Sequence, residues 1–167
     1  ITNYYESKKE KYRTDERASL NIVMVSSDPS ETDWQTAAAR AKRIYDTIKA
    51  GADFAELARA YSDDGSAQQG GELGFYARGA TVAEFDSAIF AMDSGQISLP
   101  IKTQFGYHII KHNGFRMQPV AGGAPQKEAN VAHILFSAKL SDASRDERQN
   151  KLREIAVSGK GSDLKTA

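Results

Sequence analysis

The chain has 167 residues, 40% apolar and 26% charged, with 22 Lys+Arg against 22 Asp+Glu and no cysteine. That length builds one ordinary domain with an appendage, or two small ones, and the zero net charge leaves no basic surplus of the kind nucleic-acid binding needs. Without cysteine there is no disulfide framework, thiolate nucleophile or cysteine zinc site, and no apolar run approaches the length that crosses a bilayer. The sequence opens Ile1-Thr-Asn with no secretory or transit segment, which reads as a piece of a longer protein.

In chain order, residues 2–12 favour a short helix with Tyr4, Tyr5, Lys8 and Tyr12 near one stripe. Leu20, Ile22, Val23, Met24 and Val25 make a compact apolar run, read as a buried strand that Asp28-Pro29 ends. Thr32-Asp-Trp-Gln35 has the form of a capping box. Trp34, Ala37, Ala38, Ala41, Ile44, Tyr45 and Ile48 then recur at helical spacing to about Lys49, with Gly51 at the stop position. Asp53-Phe-Ala-Glu56 opens a second, short helix carrying Phe54, Leu57, Ala58 and Tyr61. A polar loop follows from Ser62 to Gly74, with a short strand over Leu73 to Tyr76. Thr81-Val-Ala-Glu84 is a third capping box, before a helix with Phe85, Ala88, Ile89 and Met92 inward.

Ile97, Leu99 and Ile101 alternate with polar residues, the period of a half-buried strand, and Pro100 makes that strand short, bulged or peripheral. Thr103-Gln-Phe-Gly106 is a turn, and Tyr107-His-Ile-Ile-Lys111 is a strongly β-prone second strand. His108 on that strand needs partners from elsewhere in the chain. Taken together the elements predict an α+β domain, helices packed on a small, mostly antiparallel sheet. Ala121-Gly-Gly-Ala-Pro125 reads as a linker. Beyond it, Ala132-His-Ile-Leu-Phe136 lines up with Leu20-Asn-Ile-Val-Met24, a polar helix runs from about Arg145 to Ala156, and Gly161-Ser-Asp-Leu164 echoes Gly51-Ala-Asp-Phe54. This is the start of an internal repeat, too short to close a core alone.

Gly51-Ala-Asp-Phe-Ala-Glu-Leu-Ala58, Tyr61-Ser-Asp-Asp64, Gly70-Gly-Glu-Leu-Gly74, Glu84-Phe85 and Thr103-Gln-Phe-Gly-Tyr-His-Ile-Ile110 together resemble the parvulin-type peptidyl-prolyl cis–trans isomerases. The resemblance covers about residues 17–112. The leading helix and the partial second copy further resemble the bacterial envelope chaperone–isomerases of the SurA, PrsA and PpiD kind. The resemblance implies a four-stranded antiparallel sheet surrounded by helices. It divides the chain into a leading helix over 1–16, a parvulin-like domain over 17–115, a linker over 116–128 and a truncated second repeat over 129–167. It places Asn21, Asp64, Thr103 and His108 in a polar cluster and Leu73, Thr81, Phe85 and Phe105 around a proline pocket. Two positions depart from the family pattern: Asn21 stands where a histidine is usual, and Thr81 where a methionine is.

The activity so implied is isomerisation of X–Pro bonds in unfolded or secreted polypeptides, with no cofactor, metal or nucleic acid and a location in the bacterial envelope or periplasm. The rival expectation is a catalytically weak or silent module that only holds client peptides for a chaperone. Self-association through residues 129–167 is a further expectation. Plainer readings stand beside these. A lone histidine on an apolar strand is ordinarily a satisfied core residue, Asp63 and Asp64 suit a turn, and Leu73 and Phe85 suit any core. His108 and His112 lie about 13 Å apart on a strand, too far to share one ion. No G-x-S-x-G elbow is present, and Gly70-Gly-x-x-Gly74 precedes a strand instead of opening a helix, which excludes a phosphate loop. His133 occupies the usual histidine position in the second copy, but with its own module incomplete it is expected to form no site.

Overall fold

In the computed structural model, which describes Tyr4, Met24, Ser26 and residues 28–158, the first long helix begins slightly earlier than its sequence suggests. Helix α1 (Glu31–Lys49) is capped by Ser30, whose side chain accepts from the Asp33 N–H while the Asp33 carboxylate accepts from the Ser30 N–H. The reciprocal pair is thus Ser30 with Asp33, and not Thr32 with Gln35. A shorter Asp reaches back as well as Glu does when the cap serine sets the turn. Ala37, Ala41, Ile44 and Ile48 form its buried stripe at the expected spacing. Asp53 caps helix α2 (Phe54–Tyr61), and a 3₁₀ turn over Gly65–Gln69 occupies the polar stretch read as loop.

Strand β1 (Glu72–Ala77) follows, then helix α3 (Ala83–Ala91). The expected capping box at Thr81 does not form: the cap position is Val82, with no side-chain bond, and the Thr81 hydroxyl is buried without a protein partner. The loop before α3 is held instead by Asp86, which accepts from the Gly79 N–H at 2.7 Å. Strand β2 (Ile101–Thr103) starts just after Pro100, because a residue without an N–H cannot sit inside a ladder. Only Ile97 of the preceding alternating run makes a bridge, to Lys111. Strand β3 (Gly106–Gln118) is longer than expected, and strand β4 (Gln126–Ser137) pairs along it. The linker read over 116–128 is therefore a hairpin loop over 119–125. Helix α4 (Asp142–Ser158) ends the described chain.

The four strands form one antiparallel sheet in the order β1-β4-β3-β2. The most C-terminal strand thus lies in the interior, between β1 and β3. Successive residues point to opposite faces, and both faces of β4 are covered. Ala132, Ile134 and Phe136 pack with Ile109 against α1 and α2. Ala129 and Val131 pack with Ile110 against Phe85 and Ile89 of α3. Ile134, Phe136 and Val131 are fully buried, and each contributes about 1.5–3 kcal/mol by leaving water.

The chain divides into two compact units, Ile1–Ser26 with Arg148–Ala167, and Ser27–Glu147, and the sheet belongs to the second. In the first unit Tyr4 is helical, and the Arg148 guanidinium donates to the Ser26 carbonyl. The rest of the expected leading helix, the run around Asn21 and the Gly161–Leu164 echo lie outside the described residues.

Candidate functional site

His108 of β3 and His133 of β4 point to the same face of the sheet, because the register pairs His108 with Leu135 and Ile110 with His133. They are diagonal neighbours, close enough for side chains to meet. Their Nδ1 atoms lie 3.1 Å apart, with ring centroids 5.3 Å apart and planes at 26°. Thr103, at the end of β2, places its hydroxyl 2.8 Å from His108 Nε2 and accepts from the Phe105 N–H at 3.2 Å. On the far side, Asp64 Oδ2 sits 3.3 Å from His133 Nε2, off the line of a good hydrogen bond. Asp64 is set by its own turn: as cap of the 3₁₀ segment it accepts from the Ser66 N–H at 2.8 Å and the Ser66 hydroxyl at 2.6 Å.

Donor and acceptor counting gives this chain a direction. Burial, then the nearby His133, push His108 down to about 4 against a weaker pull from Asp64. Burial lowers His133 too, opposed by its contact with Asp64. For Asp64, burial raises the carboxyl, but the Ser66 hydrogen bonds and His133 outweigh it and bring it to about 2. Near neutral pH the site therefore holds two neutral imidazoles and one carboxylate. A bare His133 Nε2 lone pair against that carboxylate is repulsive, so the Nε2 carries the proton and Nδ1 accepts. His108 then donates from Nδ1 and accepts the Thr103 hydroxyl at Nε2. Every proton in the row points toward Asp64.

Phe85 of α3 closes the row from above, edge-on to both rings, with centroids 5.4 Å from His108 and 5.8 Å from His133. Beside it opens a cavity of about 590 Å³, lined by Asp64, Leu73, Tyr76, Ala80, Thr81, Val82, Phe85, Phe105, His108, His133 and Leu135. The four residues expected around a proline pocket all border this one space. Phe105 stands half-exposed at the rim, while Phe85 is buried. Of the four expected in the polar cluster, Asp64, Thr103 and His108 converge here, and Asn21 lies outside the described residues.

His133, expected to form no site, is the side chain that meets His108 here. The repeat pattern assigns each strand to its own copy, whereas in the sheet β4 lies between β1 and β3. Tyr76, Val82 and Leu135 were also missed. Leu135 follows from His133, two residues along on the same face. Asp63, read as a turn residue, anchors β4: its carboxylate accepts from the Ser137 N–H and hydroxyl, each at 3.0 Å, and pairs with Arg40 at 3.1 Å. Among the described residues no cluster of His, Asp and Glu is arranged to hold a metal ion.

The sequence from before α1 into β3 matches a known family. Residues 22–114 fit the Rotamase family, a PPIC-type PPIASE domain, and the chain belongs to it. It is 40% identical over 121 residues to Chaperone SurA of Chromohalobacter salexigens, covering 72% of this chain and 27% of that protein. It is 53% identical over 72 residues to Foldase protein PrsA 3 of Bacillus cereus, covering 42% of this chain and 25% of that protein. The solved structure of peptidylprolyl isomerase (PrsA) from Bacillus anthracis is 27% identical, covering 75% of this chain and 48% of that one with a TM-score of 0.42. The chain spans about a quarter of the length of these curated relatives.

Proposed function

We propose that this module catalyses cis–trans isomerisation of X–Pro bonds in extended polypeptide segments, by noncovalent stabilisation of the twisted amide. The observation that carries the reading is that Asp64, His133 and His108 of the polar row line a largely apolar cavity, with Thr103 bonded to His108 from behind. Rotation about the peptide bond faces a barrier of roughly 18–20 kcal/mol set by amide resonance. The two X–Pro isomers differ by only about 0.5–1 kcal/mol. Catalysis therefore requires a site that prefers the twisted form to both planar ones, and no bond need be made to the protein.

Leu73, Tyr76, Phe85 and Phe105 would grip the proline ring by burial. The imidazole pair and Asp64 would supply a fixed field beside the amide as its conjugation is lost, with no reorganisation during the turn. Thr81 brings an unpaired hydroxyl to the same wall where an apolar side chain would hold the ring better. A protease-coupled assay on a short X–Pro peptide tests the reading. The module should accelerate isomerisation, and His108→Ala should lower kcat/KM by about tenfold or more. Activity no higher than that of the variant would leave the rival reading, a silent peptide-holding module.

The clients inferred are unfolded, proline-containing polypeptides, and the location inferred is the bacterial envelope or periplasm, from the likeness to SurA and PrsA. Self-association is proposed only for the segment beyond β4, since residues 126–137 are used inside the sheet. Sedimentation of the full chain over a range of concentrations tests it, and a monomer mass throughout removes it.

A further inference from the structure

We propose that the isomerase unit of this chain is completed by the first strand of the following repeat, which donates His133 to a site otherwise built from the preceding repeat. The family match ends at residue 114, yet the strand between β1 and β3 is Gln126–Ser137. That strand begins the second copy in the sequence repeat, and its Ala132-His-Ile-Leu-Phe136 aligns with Leu20-Asn-Ile-Val-Met24. Among the described residues β1 pairs with β4 alone.

The slot is shaped for a close backbone. Gly71, at φ +82, passes so near that an added Cβ would overlap the His133 carbonyl oxygen, and at Gly106 it would overlap that of Phe136. The Gly71 carbonyl accepts from the His133 N–H at 2.8 Å. These contacts would suit any strand backbone, but the side-chain contacts distinguish the two copies. His133 completes the polar row, where the first copy has Asn21. The Ser137 hydroxyl donates to Asp63, where the first copy has Val25. Phe136 is buried against α1, whereas its counterpart Met24 is 89% exposed. The chain beyond the strand is tied down as well, with the Ser141 N–H on Asp33 at 3.2 Å and the Ser144 hydroxyl 2.9 Å from that of Ser30. The seven-residue hairpin loop over 119–125 lets β4 reach the slot directly from β3. His133 acts through His108 as a positioning residue.

The effect on turnover rests on the isomerase reading; the strand's place does not, and the two are tested separately. The chain has no cysteine, so Ala77→Cys with Glu128→Cys, partners in the β1–β4 register, reports occupancy by itself. Mild oxidation of the full chain should give a disulfide within one chain. Absence of that bond, or a bond joining two chains, overturns the proposal whether or not the protein is active.

For turnover, His133→Asn should lower kcat/KM by about tenfold or more and move the acid limb of the pH profile toward neutrality, since His108 loses its imidazole neighbour. Adding Asn21→His to that variant should restore nothing. Restoration would mean that the first copy holds the slot, and would overturn the proposal. An intramolecular disulfide in a protein without isomerase activity would sink the isomerase reading and leave the strand donation standing.

Discussion

Thr103, His108 and His133 are joined by side-chain hydrogen bonds at 2.8 and 3.1 Å, and Asp64 stands 3.3 Å from the last of them, so a change at one is felt by the next. The tautomers follow from these contacts, and ¹⁵N spectra of the imidazoles at neutral pH should place the proton on Nδ1 of His108 and Nε2 of His133. The opposite assignment would mean that Asp64 does not set the direction. Burial holds both rings neutral, with His108 lowered from 6.5 to about 4. An unfolded imidazole takes its proton first, so between these values the unfolded chain binds more protons. The stabilisation is full above about pH 6.5 and is lost as pH falls toward and through 4. Urea denaturation across that window should show stability dropping with acid, and His108→Gln should flatten the drop. Thr81 offers a separate check: Thr81→Met should lower KM a few-fold, by roughly 1 kcal/mol of added burial, with kcat little changed. Most of these residues were legible from short blocks around them. Leu73, Phe85 and His108 sit in runs whose strand and helix periods fix which way they face. His133 was not legible, since nothing local says which repeat its strand completes.

At the level of elements, the helices over 31–49, 54–61 and 83–91 were read well because their apolar residues recur within a few turns. The caps were read less well, Ser30 and Val82 replacing Thr32 and Thr81. A capping pattern records which side chains can bond and not which turn the chain takes into the helix. The sheet was correct in number and sense, but its order depended on β4. Pairing partners for an interior strand lie far away in sequence, and alternation alone does not choose between two similar segments. The glycine at 71 tests, at this scale, that a strand backbone passes beside it. Gly71→Ala should destabilise the unit by about 2–4 kcal/mol, through backbone strain and a clash with β4. Denaturant unfolding with an unchanged m-value measures it. Wild-type stability in that variant would mean that no strand backbone passes there.

For the molecule as a whole, the compact unit that holds the sheet is Ser27–Glu147, and its boundary falls inside what the repeat pattern calls the second copy. Under the proposed reading, function depends on residues 25 positions apart that meet beside one cavity. The most direct measurement is a double-mutant cycle on isomerisation of an X–Pro peptide with His108→Ala, His133→Ala and both together. If the imidazoles act as one row, each single change lowers kcat/KM by about tenfold or more and the double falls no further than the worse single, within about a factor of two. Losses that multiply, or a His133→Ala protein as active as wild type, would contradict the account.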